Sequence, residues 1–204
     1  MLEYQEKSRK IPIVEEADVI VCGGGPAGVA AAIAAARGGA KTRLIEAHGA
    51  LGGIWTTGLL CWILDCENKT GIMSEIISRL EERNVGYKGR GKNFIADIEQ
   101  MKILLEEMCL DAGVKIQLHT HVASAVVNEN NRLSMAITES KSGRQAWAGK
   151  IFIDATGDGD LAFQAGCSYE FGHPETGLTQ PMSLIALITG VSHEKIRCFN
   201  NTLE

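Results

Sequence analysis

Residues Ala17 to Ala47 read ADVIVCGGGPAGVAAAIAAARGGAKTRLIEA, and this stretch decides the fold class. A short apolar run, Val19 to Cys22, has the look of a buried strand. It runs into Gly23-x-Gly25-x-x-Gly28. An alanine-rich segment, Val29 to Ala36, predicts a helix, and Thr42 to Ile45 predicts a second strand that ends in an acid, Glu46. Strand, glycine turn, helix, strand and acid, in that order, form the dinucleotide-binding βαβ fingerprint.

Each residue type has a physical task there. Gly23 permits the tight turn, Gly25 lets a pyrophosphate approach the backbone, and Gly28 lets the helix lie close to the strand. Pro26 and Ala27, between the glycines, are candidate contacts with them. Amides at the helix start face the phosphates, where the helix dipole favours negative charge. Alanines at positions 30, 31, 32, 34, 35 and 36 keep the helix thin. Glu46, with Ala47 beside it, sits where a carboxylate accepts hydrogen bonds from both ribose hydroxyls. It repels a 2′-phosphate, which favours FAD or NAD over NADP. A purely structural glycine turn is the plainer alternative, and the flanking strands and helix argue against it.

Composition narrows the function classes. The chain has 204 residues, 45% of them hydrophobic, enough for a sizeable core. Its net charge of −5 offers no basic face to nucleic acid. The longest apolar runs, Val29 to Ala36 and Leu184 to Ile188, are too short to span a bilayer. The charged start, MLEYQEKSRK, lacks a signal-peptide core, so a cytoplasmic location is expected. Six cysteines in a chain of this length do not read as a disulfide framework.

A second glycine-dense stretch follows the acid: His48-Gly-Ala-Leu-Gly-Gly-Ile-Trp-Thr-Thr-Gly58. Its leucine, isoleucine and tryptophan are too apolar for a free loop. Glu46, then Leu51-Gly52-Gly53, then Thr57-Gly58, at this distance after the first glycine turn, resembles the FAD-binding domain of glutathione-reductase-like flavoproteins. The resemblance implies that the acid binds the adenosine ribose and that the Gly52-Gly53 loop, with Thr57, passes along the pyrophosphate and ribityl chain. It shifts the expected cofactor from NAD to FAD.

Cys61-Trp-Ile-Leu-Asp-Cys66 comes next. Two cysteines at this spacing can face one another across a helical turn. Disulfide reductases of the resembled superfamily carry such a pair beside the flavin, but closer to the Gly-Gly loop than Cys61 lies. The plainer reading is two buried small apolar side chains.

Further on, Gly71 to Asn84 and Phe94 to Ala112 predict amphipathic helices. A basic glycine-rich loop, Val85 to Asn93, lies between them. Val114 to Leu118 predicts a strand. His119 and His121, read as alternate residues of an extended segment, point to one side, with no further ligands spaced for a metal. Val122 occupies the position where the resembled family contacts adenine through its backbone.

Ser124 to Ala148 alternates between apolar runs and turns, and predicts a three-stranded antiparallel meander. Then Ile151 to Ile153 leads into Asp154-Ala155-Thr156-Gly157-Asp158-Gly159-Asp160-Leu161-Ala162. The Ala-Thr-Gly turn after a strand resembles the turn that approaches the cofactor throughout the FAD superfamily, and the longer string resembles the FAD-dependent oxidoreductase family. Ala155, Thr156, Gly157 and Asp158 are therefore candidate cofactor contacts. Asp160 is a candidate cap for a helix Leu161 to Ala165. His173 to Gly177 carries turn chemistry, with His173 a candidate substrate or acid–base residue. Leu184 to Val191 is strand-like.

The expectation is an α/β protein: a Rossmann-like FAD-binding domain with a parallel sheet and an inserted meander. Residues 1–16 form an arm, 17–166 an incomplete FAD-binding domain, and 167–204 the start of a truncated substrate or cap domain. The function expected is the FAD-binding portion of a flavin-dependent oxidoreductase, passing a hydride or electron pair between the flavin and a small-molecule substrate. No catalytic residue is assigned, no metal is expected, and a companion chain or C-terminal half completes the site. Two alternatives stand: an FAD- or adenine-nucleotide-binding module without activity of its own, and a thiol–disulfide reductase using Cys61 and Cys66.

Overall fold

The structure is a computed structural model describing residues 2–192. Its first strand, β1 (Ile13–Cys22), lies at the centre of a six-stranded sheet. The sequence marked Val19 to Cys22 as the strand and Ile11 to Val14 as a strand-like patch within an arm. The strand begins inside the segment expected to be an arm, because Ile13 to Glu16 find partners at Ala146 to Ala148. Helix α1 (Pro26–Arg37) follows the glycine turn, with proline at its first position, where the missing amide is harmless. Strand β2 (Thr42–Ile45) returns parallel to β1.

Alternation along β1 builds two layers, since successive strand residues face opposite sides. Val19 and Val21 pack with Val29, Ala32 and Ile33 of α1 in the larger core cluster. Ile20 and Cys22 pack on the other side with Ala136, Trp147 and Leu161. The larger cluster is completed by α2 (Ile72–Glu82) and α3 (Ile98–Asp111), the latter through Met101, Leu104, Leu105 and Met108.

On both sides of α2 in the chain the structure departs from the sequence reading. Strands β3 (Trp62–Ile63), β4 (Gly86–Lys88) and β5 (Phe94–Ala96) form a small antiparallel sheet in the order β3-β5-β4. Phe94 to Ala96 therefore belong to a strand and not to the expected helix. Asp97 explains the boundary: its side chain accepts a hydrogen bond from the Gln100 amide at 2.9 Å and starts α3 there. Gly86 makes room for Phe94, because a Cβ at Gly86 would lie 2.4 Å from the ring.

Strands β6 (Lys115–Gln117), β7 (Thr120–Val127), β8 (Leu133–Ser140) and β9 (Gly143–Asp154) complete the large sheet, in the order β6-β2-β1-β9-β8-β7. β6, β2, β1 and β9 run parallel; β7, β8 and β9 form the antiparallel meander. The meander's third strand and the expected strand Ile151 to Ile153 are one continuous element. Gly149 does not interrupt it, and its bare Cα leaves space for Ile20, whose Cδ1 would lie 3.1 Å from an added Cβ. The short α4 (Asp160–Gln164) packs back on β7 and β9.

Residues 165–192 carry no helix or strand. The strand-like run Leu184 to Val191 has no neighbouring strand to pair with, and Leu184 is 96% exposed. The rest of the expected cap segment, residues 193–204, lies outside the described residues.

Candidate functional site

The carboxyl ends of β2, β1 and β9 stop level with one another. Cys22 pairs with Ile45 on one side and with Asp154 on the other. Three turns leave the sheet side by side at this edge, where open α/β sheets place their ligands. Between them lies a cavity of about 400 Å³, within the range of small-molecule sites.

Contacts among the turns account for the glycines. A Cβ on Gly23 would stand 2.1 Å from the Ala155 carbonyl oxygen, so the first turn is pressed against the third. A Cβ on Gly28 would stand 1.8 Å from the Gly23 carbonyl oxygen, so helix and turn touch backbone to backbone. At Gly25 the situation is reversed: an added Cβ would meet nothing within 4 Å, and the residue lines the cavity. Gly25 is also the N-cap of α1 and supplies no side-chain cap. The Ala27 and Gly28 amides, in the first turn, have no intrahelical acceptor. They face a space into which an anion can come.

The second glycine loop folds onto the first. The Gly52 amide donates to the Gly24 carbonyl at 2.7 Å, and a Cβ on Gly53 would lie 3.0 Å from the Gly25 Cα. Thr57 donates its hydroxyl to the Gly53 carbonyl at 3.1 Å.

Glu46 is buried at the floor. One carboxylate oxygen accepts from the Gly24 amide, and the other accepts from the His48 amide at 2.7 Å and meets His48 Nδ1 at 2.7 Å. The third turn is fixed by Asp154. Its Oδ1 accepts from the Thr156 amide at 3.0 Å and the Thr156 hydroxyl at 2.7 Å; its Oδ2 accepts from the Ala162 amide at 2.8 Å. Burial, with the charge of Asp154, pushes the Cys22 thiol beneath this turn up to about 12.

The cavity brings together eleven of the fifteen residues named from the sequence as cofactor contacts: Gly23, Gly25, Pro26 and Ala27 from the first turn, Glu46, Ala47 and Gly53 after β2, Val122 on β7, and Ala155, Thr156 and Gly157 after β9. Gly28, Gly52, Thr57 and Asp158 do not line it. Gly28 and Gly52 shape the turns from behind.

Six further residues line the cavity: Ile45, His48, Ile54, Thr120, His121 and Asp160. Ile45 and Thr120 flank recognised positions, and His121 lies one residue from Val122. Nothing in sequence pattern marks His48 or Ile54. Asp160 lies in the first turn of α4 behind an N-cap at Gly159, and not at the cap itself.

Three candidates lie elsewhere. Cys61 is packed in the larger core, and burial pushes its thiol up to about 11. Cys66 is half-buried, and its Sγ donates to the Lys92 carbonyl at 3.3 Å. Neither cysteine lines the cavity, and a thiol so seldom ionised is a poor nucleophile. His173 is held in its own turn, accepting from the Glu175 amide at 3.2 Å. His119 does not pair with His121: its φ of 51° breaks the extended run, and its ring sits over Gly49. Among the described residues, no group of three or more His, Cys, Asp or Glu is placed to hold a metal ion. Nor is any described helix long and apolar enough to cross a membrane.

A parallel sheet whose strand ends open onto a glycine turn, a helix N-terminus and a buried acid defines a dinucleotide-binding protein of the Rossmann-like class. The chain belongs to the family described as FAD dependent oxidoreductase, which it matches over residues 18–203, and FAD is its cofactor. It is 29% identical over 177 residues to a thiamine thiazole synthase of Methanococcus aeolicus, covering 81% of this chain and 63% of that protein. The chain thus spans about three-fifths of that relative's length. Among solved structures, a geranylgeranyl bacteriochlorophyll reductase-like protein from Thermoplasma acidophilum matches with a TM-score of 0.58 at 21% identity, over 74% of this chain and 42% of that one. The THI4 protein of Thermovibrio ammonificans matches with a TM-score of 0.57 at 19% identity, over 73% and 61%. Both carry the same fold.

The residues fit the cofactor. Gly25 leaves open the path a pyrophosphate needs, the α1 amides offer it donors, and Glu46 offers a buried carboxylate to hydroxyls.

Proposed function

We propose that this chain is the FAD-binding portion of a flavin-dependent oxidoreductase that exchanges a hydride or electron pair with a small-molecule substrate. When bound, FAD supplies that redox chemistry; the chain's own residues bind and orient it. The observation that carries the reading is the open face of Gly25 between the α1 amides and Glu46.

In this reading Gly23, Gly25, Pro26 and Ala27 receive the pyrophosphate. Glu46 and Ala47 hold the adenosine ribose, and Val122 borders the adenine. Gly52, Gly53 and Thr57 follow the ribityl side, while Ala155, Thr156, Gly157 and Asp158 close over the cofactor. Gly28 acts by packing. The substrate side is completed by further chain or by a companion subunit; the exposed apolar side chains Leu184, Leu187 and Ile188 support this. Titrating the protein with FAD while following flavin fluorescence tests the assignment. ADP, which carries the adenosine half, is expected to displace FAD, and FMN, which lacks it, is not. Displacement by FMN alone would refute it.

A second reading, that the chain shares the thiamine thiazole synthase reaction, is favoured by similarity along 81% of its length. An assay for formation of a thiazole product separates the two.

A further inference from the structure

Glu46 has its acceptor positions nearly filled before any ligand arrives. A carboxylate oxygen offers about two lone-pair directions. One oxygen, Oε1, accepts the His48 amide at 2.7 Å and also meets His48 Nδ1 at 2.7 Å. The other, Oε2, accepts the Gly24 amide. One direction therefore remains, whereas an adenosine ribose presents two neighbouring hydroxyls. The two amides belong to the turns and stay. The imidazole does not have to: the Glu46 side chain is 7% exposed, but that of His48 is 63% exposed at the cavity wall.

We infer that the His48 side chain is a removable occupant of the ribose subsite, and that it sets the affinity for the cofactor. Its ring must leave Oε1 before both hydroxyls can bind, so apparent affinity is reduced by the fraction of molecules in which it is in place. The inference rests on reading the cavity as the adenosine end of the FAD site.

The ring's other neighbours are His119, whose amide donates to the His48 carbonyl at 3.0 Å and whose ring covers Gly49, and His121 and Asp160 on the cavity wall. All three remain in a His48 variant, so a change in affinity there belongs to the His48 side chain.

The experiment measures FAD binding to the 204-residue chain by flavin fluorescence. It compares wild type, His48→Ala and His48→Gln. A competing hydrogen bond of this kind is worth about 1 kcal/mol, so His48→Ala is expected to bind FAD about fivefold more tightly. His48→Gln, which can still donate to Oε1, should stay near wild type. The gain in His48→Ala should shrink for 2′-deoxy-ADP, which has one hydroxyl fewer than ADP. Equal or weaker FAD binding by His48→Ala would overturn the inference, and weaker binding would make the ring a direct cofactor contact. Wild-type FAD binding that ADP does not displace would overturn the site reading itself, and the inference with it.

Discussion

Replacing Gly25 with aspartate is expected to abolish cofactor binding while leaving the protein folded. An added Cβ there meets nothing within 4 Å, and the backbone, at φ −67° and ψ −177°, is open to any L-residue. Aspartate is also a favoured helix N-cap, only about 0.3 kcal/mol better than glycine there, so the folded state should lose no stability. The new carboxylate would project into the cavity that the pyrophosphate enters. Two unit charges 4 Å apart repel by about 4 kcal/mol at an effective dielectric of about 20. That corresponds to almost a thousandfold loss of affinity.

Gly28→Ala is the opposite case. Its Cβ would stand 1.8 Å from the Gly23 carbonyl oxygen, a backbone atom that cannot step aside. It is therefore expected to destabilise the fold by more than about 3 kcal/mol, the range reserved for packing failures. Thermal melts and FAD titration of both variants separate the effects. FAD binding of wild-type strength in Gly25→Asp would refute the reasoning, as would a wild-type melting temperature in Gly28→Ala.

Three other outcomes follow from particular contacts. Glu15 is 11% exposed and meets Arg43 and, at 3.0 Å, Lys115. Burial pushes its carboxyl up, but hydrogen bonds and charge from Lys115 and Arg43 outweigh this and hold it below the usual carboxylate range. Its stabilisation is thus complete above the ordinary value of about 4.3, and is lost as pH falls through the lowered folded value. Glu15→Gln should lower the melting temperature at neutral pH, by the equivalent of about 1–3 kcal/mol, and the gap to wild type should close in acid. Among the described cysteines, Cys22, Cys61 and Cys109 have thiols pushed up to about 12, 11 and 12 by burial. Native-state alkylation near neutral pH, read site by site, should therefore modify exposed Cys167 well before these three. Asp154→Asn must turn an amide NH₂ towards the Thr156 or Ala162 amide, both of which need an acceptor. A loss of about 1–3 kcal/mol in stability is expected, together with weaker FAD binding; an unchanged melt would count against the stapling role.

Much of the site was legible because its glycines and acid act through local spacing. Gly23, Gly25, Gly28 and Glu46 sit within one βαβ unit, so their order alone placed them on one edge. Distant contacts were harder to read. Gly149 looked like a break between strands, but it is a hole filled by Ile20, a residue on a different strand. Phe94 to Ala96 shared the apolar spacing of the following helix, and only the Asp97 cap and two partner strands, nearby β4 and distant β3, make them a strand. His48 escaped notice because its contact with Glu46 depends on the curvature of a loop, which no periodicity encodes. The strand-like composition of Leu184 to Val191 was not enough without a sheet edge to receive it.

Retention of FAD by these turns is read from the visible absorption spectrum of the purified protein after incubation with FAD and desalting. A retained flavin band is expected in the wild type and its absence in Gly25→Asp. A folded wild-type protein that retains no flavin, or a Gly25→Asp protein that retains as much, would contradict it.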